Sequence, residues 1–352
     1  MTDFNFKPTS MPLSRRELGI GIVGSGGIVR GAHLPAYKMA NFRVAAIAAR
    51  NVQTRGEAAQ AFGIPLEFGD WRQLVERDDI DVLDIAIPGE GRLEIVRAAA
   101  AAGKHLLMQK PLANSMDEAR EMVAIAADAG ISLAVNQNAR WASVYRAAAA
   151  AIRQGLIGEV FDITHTMRNN QGTVDWFVNG WYGKTPRFQI LQYMVHYIDV
   201  VRMWLGTEPV SVLAKTYRRR GQAALGELAA DVLLSFPGDV NCLLSDRNYC
   251  WRDEQLRVGF FIEGSQGVIE GNVQTGALTI RSSRLEAPYE TTLGNTWFPD
   301  GFAHTMGHLL DAVATGSPLE TSGADNLKTL VVVDAAYRSA ETGAVCKVPI
   351  SD

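Results

Sequence analysis

Between Glu17 and Gln137 the sequence alternates short apolar runs with longer helical patterns. The apolar runs cover residues 18–23, 43–48, 82–87, 105–109 and 132–136. Runs of this length that are apolar at almost every position predict strands buried on both faces of a parallel sheet. Three of the intervening helical segments end in a glycine, which favours a helix C-terminus there. Strict alternation of strand and helix predicts an α/β domain with a doubly wound sheet and right-handed crossovers.

A different pattern begins after Asn138. One helical segment (143–155) leads into runs that alternate apolar and polar residues, at 159–169, 209–219, 230–238 and 256–271. A period of two predicts a largely antiparallel or mixed sheet with one covered face. The chain of 352 residues is long enough for two domains, because single cores stop growing near ~250–300 residues. We therefore expect an α/β domain at 17–138 and an α+β domain at 139–352.

Composition narrows the partners. The chain is 47% hydrophobic and 20% charged, as in globular proteins, and its formal net charge of −4 gives no reason to expect nucleic acid. No apolar run approaches the ~20 residues that span a membrane. Residues 1–14 lack the apolar core of a secretory signal and are interpreted as a tail. The three cysteines show neither metal-ligand spacing nor disulfide density, so we expect reduced thiols in a cytoplasmic protein with small-molecule partners.

The stretch GIVGSGGIVRGAH (residues 21–33) follows the first predicted strand and opens a helix. Its first glycines fit the start of G-x-G-x-x-G, where a tight turn and the approach of a pyrophosphate both require a missing side chain. Val29 stands at the third position of the motif. The pattern predicts a dinucleotide site formed by Gly24, Ser25, Gly26, Gly27 and Ile28. A purely structural turn is the alternative.

The end of the second predicted strand bears on the choice of cofactor. Enzymes that bind NAD usually carry an acidic residue roughly 20 residues past the glycines, where it binds the ribose 2′-hydroxyl. No acid occurs in VAAIAARNVQ, residues 44–53. Ala49 takes that position, and Arg50 follows with a planar guanidinium suited to a 2′-phosphate. We therefore expect NADP, with NAD as the alternative cofactor and an exposed turn arginine as the competing interpretation.

Four segments carry a family resemblance: GIVGSGGIVRGAHLPAY, DVLDIAIPGEGRLEIVRAAAAAGKHLLMQKPLANSMDEA, NARWASVYRAAAAAIRQGLIGEV and VHYIDVVRMWLG. Their order and spacing resemble the glucose-fructose oxidoreductase, inositol dehydrogenase and MocA (Gfo/Idh/MocA) family over about residues 19–349. The most specific marker is the E-K-P tripeptide, present as Gln109-Lys110-Pro111. Gln109 departs from the usual glutamate, and Arg92 stands where the family commonly has histidine.

The resemblance implies a Rossmann dinucleotide-binding domain followed by an α+β domain with a largely antiparallel open sheet. It implies hydride transfer at a CH–OH group of a sugar, sugar derivative or cyclitol, by a homodimer or homotetramer. It assigns further cofactor contacts to Ile87, Pro88, Arg92, Gln109, Lys110 and Asn138. Asn138 and Arg140 are placed by the same resemblance close to the nicotinamide and the substrate.

Lys110 and His196 are the candidate catalytic residues. Lys110 ends the fifth predicted strand, at the sheet edge where ligands bind, and a desolvated lysine becomes a usable acid, base or hydrogen-bond donor. His196 shares a helical face with Asp199, and an imidazole near its ordinary pKa of ~6.5 suits proton transfer. The resemblance assigns the catalytic acid/base role to His196. A surface lysine and a core histidine are the competing interpretations.

The expected substrate contacts are Lys110, Arg140, Trp176, Gln192, His196 and Asp199. Gln192 stands where the family pattern often has aspartate, and an amide cannot exchange protons. The aromatic segment 175–188 suits the apolar face of a sugar, but it equally suits loop packing or a subunit contact. His304 and His308 are spaced i, i+4 without an evident third ligand, so no metal site is expected.

Three functions fit these features. The first is an NAD(P)-dependent oxidoreductase of sugars or cyclitols. The second is a glycosidase in which tightly held NAD oxidises the sugar transiently, and the third is a non-catalytic sensor of a sugar or cofactor. The presence of both Lys110 and His196 favours an enzyme over the sensor.

Overall fold

The computed structural model describes residues 4–7, 17–250, 257–294 and 297–349. They form two units, which we call the parallel-sheet unit (17–138 and 298–327) and the mixed-sheet unit (the other described residues). The predicted N-terminal tail lies outside the described residues except for 4–7. Within that short piece Phe4 is buried, and its ring meets Tyr289 edge-on with 4.9 Å between the centroids.

The parallel-sheet unit contains six strands. These are β1 Ile20–Val23, β2 Val44–Ala48, β3 Leu66–Phe68, β4 Val82–Ile85, β5 His105–Met108 and β6 Leu133–Val135. Their order is β3-β2-β1-β4-β5-β6, and every neighbouring pair is parallel. The predicted doubly wound α/β domain is confirmed. β3 was missed because it is a three-residue edge strand with an exposed Glu67 at its centre.

The described residues of the two units contain ten α-helices. They are α1 Leu34–Ala40, α2 Val52–Phe62, α3 Arg72–Val75, α4 Arg92–Ala101, α5 Met116–Asp128, α6 Ser143–Arg153, α7 Asp175–Val178, α8 Val195–Leu205, α9 Asp300–Thr315 and α10 Gly323–Thr342. Two π-helices, Val29–His33 and Gln189–Met194, run directly into α1 and α8. No helix in the described part of the chain is long and apolar enough to cross a membrane.

Helix α9 belongs to the parallel-sheet unit although it follows the mixed sheet in sequence. Its apolar face supplies Phe302, Ala303 and Met306 to the hydrophobic cluster that holds Ile20 and Tyr37. The single domain boundary expected after residue 138 leaves out this return of the chain to the parallel-sheet unit at residues 298–327. The amphipathic pattern of a helix reports that one face is buried, but it does not say against which sheet.

The mixed-sheet unit contains nine strands. These are β7 Val160–Arg168, β8 Ser211–Tyr217, β9 Ala229–Phe236, β10 Val240–Arg247, β11 Arg257–Gly264, β12 Gly267–Asn272, β13 Ala277–Ser282, β14 Tyr289–Thr292 and β15 Cys346–Lys347. Their order is β14-β13-β12-β11-β7-β10-β9-β8-β15. Only β7 and β10 pair in parallel, so the expected largely antiparallel sheet is confirmed.

One face of this sheet carries exposed apolar side chains at its centre. Leu213, Leu233 and Leu243 lie directly opposite one another on β8, β9 and β10, and they are 41%, 38% and 39% exposed. We call these three residues the leucine row. The sequence neighbours of each leucine point to the other face of the sheet and are buried, as Val232 and Leu234 show on β9. The period of two in the sequence therefore separates a packed face from an open one.

Candidate active site

The glycine turn after β1 combines a close internal contact with open space. Gly24 has φ +121°, and a Cβ there would lie 2.6 Å from the carbonyl oxygen of Ala86. A side chain at this position is excluded both by the backbone conformation and by the neighbouring strand end. At Gly26 and Gly27 a Cβ would meet nothing within 4 Å, and both residues are exposed. A ligand can therefore approach this backbone closely, which is the geometry that a pyrophosphate requires.

The end of β2 leaves Arg50 available. Arg50 is exposed and forms no ion pair with the described residues. Arg55, which the sequence did not single out, is partly buried, and its guanidinium donates to the carbonyl of Ala49 at 2.7 Å and to Glu67 at 3.2 Å. The guanidinium of Arg55 therefore stabilises the end of β2. Arg50 is the arginine here that a bound anion can reach.

The Gln109-Lys110-Pro111 turn follows β5 directly. The backbone N–H of Gln109 still donates to the carbonyl of Ile85 at 3.0 Å, and Lys110 is half-buried. Burial lowers the pKa of Lys110 to about 8, and the positive charge of Arg92 adds to the effect. Lys110 is therefore neutral far more often near neutral pH than an ordinary surface lysine, although the ammonium form still predominates at pH 7.

Arg92, a predicted cofactor contact, begins α4 with its guanidinium buried. Nε and Nη2 donate to the carbonyl of Ile87 at 3.0 and 2.6 Å. Nη1 donates to the carbonyls of Gln109 at 2.6 Å and Leu112 at 3.2 Å, and also to that of Pro111. Burial lowers the pKa of Arg92 to about 10. The side chain thus ties the loop after β4, which carries the half-buried Ile87, to the turn after β5.

A buried hydrogen-bond chain holds the side chain of Gln109. Nδ1 of His33 lies 2.7 Å from Oδ2 of Asp84, and the hydroxyl of Tyr37 donates to the same oxygen at 2.7 Å. Nδ2 of Asn136 lies 3.5 Å from Nε2 of His33 and donates to Oε1 of Gln109 at 2.9 Å. The amide of Gln109 is therefore fixed from inside the sheet. Sequence reasoning missed this chain because its members are separated by up to 103 residues.

In the mixed-sheet unit, Gln192 and His196 lie on consecutive turns of one continuous helical segment. Gln192 belongs to the π-helix and His196 to the first turn of α8, and both are buried. The imidazole of His196 meets the indole of Trp297 edge-on, with 5.2 Å between ring centroids. Trp297 was not predicted, since nothing in its local sequence marks it.

Arg140 and Asp199 bind one another. Nε and Nη2 of Arg140 lie 2.5 and 2.9 Å from the two carboxylate oxygens of Asp199, and both residues are buried. Thr329 donates to the same carboxylate at 3.0 Å, and Nη1 of Arg202 lies 3.5 Å away. These two expected substrate contacts form one neutralised pair, which locks α8 to the segment after Asn138.

The start of the His196 helical segment is held by Glu227. Its carboxylate accepts backbone N–H bonds from Phe188 and Gln189 at 3.0 and 2.9 Å, and the hydroxyl of Tyr337 donates to it at 2.7 Å. A buried carboxylate at a helix N-terminus satisfies backbone donors and favours the helix dipole. The position of His196 along this helix is therefore fixed from its first turn.

The aromatic segment has an interior and an exterior part. Phe177 is fully buried and stacks on Tyr182 with 5.5 Å between ring centroids. Trp176 and Trp181 are 58% and 42% exposed. The rings of Phe177 and Tyr182 thus pack the segment against the protein, whereas the indoles of Trp176 and Trp181 are exposed to solvent.

Family models and known proteins match this chain over most of its length. Residues 18–137 match the family model described as "Oxidoreductase family, NAD-binding Rossmann fold", and residues 145–270 match the "GFO/IDH/MocA C-terminal domain". D-Apiose dehydrogenase of Paraburkholderia graminis is 30% identical over 345 residues, which cover 92% of this chain and 87% of the relative. The chain belongs to the Gfo/Idh/MocA family. The resemblance seen in the sequence is confirmed, and this family member is an NAD(P)-dependent oxidoreductase.

Proteins similar to this chain differ in the cofactor that their names give. The structure of an oxidoreductase from Agrobacterium radiobacter in complex with NAD+, L-tartaric acid and magnesium has a TM-score of 0.84 and 27% identity, covering 94% of this chain and 98% of that one. The NADP(+)-named D-xylose 1-dehydrogenase 2 of Haloferax volcanii is 26% identical, covering 92% of this chain and 98% of the relative. Membership of the family therefore leaves the choice between NAD and NADP to local residues.

Proposed function

We propose that the chain transfers hydride between NADP and a CH–OH group of a sugar or cyclitol, with Lys110 and His196 handling the proton. The observation that carries this proposal is the position of Lys110, half-buried beside Arg92 at the carboxyl edge of the parallel sheet, with a pKa lowered to about 8. This edge is where ligands bind in open α/β sheets.

The proton chemistry follows from the neutral amine. The bound nicotinamide supplies the hydride acceptor. As the carbinol carbon loses hydride and its C–O bond becomes a carbonyl, the hydroxyl proton must move to a base, and neutral Lys110 is that base in this proposal. His196 is the second proton-transfer group, whereas the Gln192 amide is limited to hydrogen bonding with a substrate hydroxyl.

The cofactor contacts remain a proposal supported by local geometry. The exposed backbone of Gly26 and Gly27 suits the pyrophosphate, and the exposed Arg50 suits a ribose 2′-phosphate. Arg92 supports the turn of Gln109 and Lys110 rather than offering its own donors, since its guanidinium binds main-chain carbonyls. NADP is therefore preferred over NAD.

The substrate class is inferred from the exposed indoles and from the relatives. Indole faces bind the apolar face of a sugar ring, and Trp176 and Trp181 are the exposed candidates. Two relatives are named as dehydrogenases of D-apiose and D-xylose. Arg140 and Asp199 contribute by holding the helix of His196 in place.

A panel assay tests the proposal. The purified protein is mixed with NADP and with aldoses, anhydrosugars and cyclitols, and the absorbance of reduced nicotinamide is followed. We expect reduction with at least one member, and a loss of turnover of roughly 10²–10⁴-fold in Lys110→Met and His196→Asn. Lys38→Met, an exposed lysine on α1, is the matched control. Glycoside cleavage without net reduction would support the glycosidase instead, and binding without turnover the sensor.

We also infer that the leucine row pairs with a second copy of this chain. An exposed apolar row across three strands is costly in water, and a second copy that presents the same row would cover it. Leu233→Asp is expected to yield monomers by light scattering. Leu225→Asp, at an exposed leucine outside the sheet, is expected to leave the assembly intact.

A further inference from the structure

Arg92 occupies a place in the fold that a cation does not normally favour. It is the first residue of α4, where the helix dipole is positive and where acidic side chains are preferred. Its guanidinium is also buried, which adds a desolvation cost. Glu118 on α5 offsets part of this through its charge, but no ion pair between the two is formed among the described residues. A residue so placed must be stabilised by what its donors bind.

The donors of Arg92 converge on the turn that carries Lys110. Nη1 alone reaches the carbonyls of Gln109, Pro111 and Leu112, so that the carbonyls of the residues directly before and after Lys110 are held by one nitrogen. Nε and Nη2 hold the carbonyl of Ile87 on the neighbouring loop. Carbonyl oxygens gathered in this way would repel one another without a cation between them.

We propose that Arg92 is a positioning residue for Lys110: it fixes the main chain on both sides of the lysine and places a positive charge next to its amine. The proposal rests on the role given to Lys110 above. It concerns residues of one unit, and it assigns to Arg92 a part that differs from a contact with the cofactor.

The electrostatic half of the proposal concerns the effect of the Arg92 charge on the Lys110 amine. Burial lowers the pKa of Lys110, and the positive charge of Arg92 lowers it further, so both favour the neutral amine. Asp84, an acid on the neighbouring strand β4, is bound by His33 and Tyr37. Gln109 carries an uncharged amide, so the position before the lysine adds no negative charge that would favour the ammonium.

The test measures the protonation of Lys110 without needing the substrate. Competitive acetylation of the whole protein over a range of pH, read by peptide mass spectrometry, gives the midpoint at which Lys110 becomes reactive. In Arg92→Gln we expect this midpoint to rise by roughly 0.5–1 pH unit, because one nearby positive charge is lost. Arg97→Gln is the matched control, since Arg97 lies on the same helix but is exposed and paired with Glu121. Its Lys110 midpoint should equal that of the parent.

Arg92→Lys separates charge from geometry. It keeps a cation but cannot hold several carbonyls at once, so we expect a midpoint close to that of the parent together with a kcat lowered about 10-fold or more. An unchanged midpoint in folded Arg92→Gln would overturn the electrostatic half. A parental kcat in Arg92→Lys would overturn the positioning half, and this variant remains informative if Arg92→Gln does not fold.

Lys110→Met distinguishes the two proposals. If this variant keeps its turnover, the catalytic role of Lys110 fails, while the acetylation midpoint in Arg92→Gln still reports whether Arg92 acts on the lysine. If Lys110→Met is inactive while the midpoint does not move and Arg92→Lys keeps the parental kcat, the inference on Arg92 fails alone.

Discussion

Arg140 and Asp199 form a buried, two-pronged ion pair, with Nη2 of the arginine 2.9 Å from Oδ1 of the carboxylate. The two residues are 59 positions apart, and one of them lies on α8, three positions after His196. Fork-to-fork pairs of this kind fix orientation as well as distance. The pair therefore sets how α8 is rotated about its axis.

Asp199→Asn is expected to destabilise the protein by ~3–5 kcal/mol, because Arg140 and the nearby Arg202 are then left as buried cations without that carboxylate. Urea unfolding followed by fluorescence measures this change. Asp334→Asn removes an exposed ion pair with Arg338 and should cost less than about 1 kcal/mol. Full stability of Asp199→Asn combined with a raised KM would mean that Asp199 binds substrate directly.

We expect the free energy of unfolding to fall with rising pH because of Asp246. This carboxyl on β10 is buried, and Nε2 of Gln189 donates to it at 3.4 Å. Burial raises the pKa of Asp246 to about 8, against opposing effects of Gln189, Arg168 and Arg247, while Asp231 adds to the rise. The folded protein thus keeps a proton that the unfolded chain releases near pH 4, so stability declines from about pH 4 to about pH 8 and then levels off.

Asp246→Asn should remove this decline and be the more stable protein at pH 8, which thermal melting across that range measures. Asp231→Asn is the matched control with the opposite sign. Burial tends to raise the pKa of Asp231, but hydrogen bonds from Arg247, Ser245 and Tyr217 outweigh it and lower the pKa. Its contribution is therefore present at neutral pH and lost on acidification. A parental pH profile in Asp246→Asn would contradict the prediction.

Arg50→Ala should weaken NADP binding roughly 10-fold or more and leave NAD binding nearly unchanged, because the lost interaction is a charged hydrogen bond to the 2′-phosphate. Dissociation constants from cofactor fluorescence measure both. Arg43→Ala is the control, since Arg43 lies at the opposite end of β2 and contacts Asp79. Tighter NAD than NADP binding in the parent would refute the cofactor preference and leave the oxidoreductase assignment intact.

Trp176→Ala should raise KM for the sugar several-fold without changing stability, since the indole is mostly exposed. Steady-state kinetics measure KM, and thermal melting measures the stability. Phe177→Ala, its fully buried neighbour, should instead cost ~3–5 kcal/mol of stability. If Trp176→Ala splits the oligomer and keeps its KM, the segment is a subunit contact.

The sequence predicts the parallel sheet well because its central strands are buried on both faces. β1, β4 and β5 are apolar at almost every position apart from Asp84 and His105, so their pattern does not depend on partners. The edge strand β3 and the return of α9 escape prediction, because short half-exposed strands and amphipathic helices fit several environments.

The site is predictable only in part for the same reason. The glycine turn and Lys110 follow from their places at strand ends, which local sequence reveals. The partners of Arg92, Asp199 and Gln109 depend on which distant groups the fold brings together, and no local pattern encodes them. Trp297 beside His196 is a further example.

The hydrogen bonds that Glu227 accepts from the backbone of Phe188 and Gln189 have an evolutionary consequence. The exposed indoles of 176 and 181 precede that anchor in the chain, whereas His196 follows it. Substitutions and insertions in the aromatic segment can accumulate without displacing the histidine, because the helix start is secured separately by Glu227 and Tyr337. One short segment can then diverge by drift while the helix that carries His196 is inherited intact.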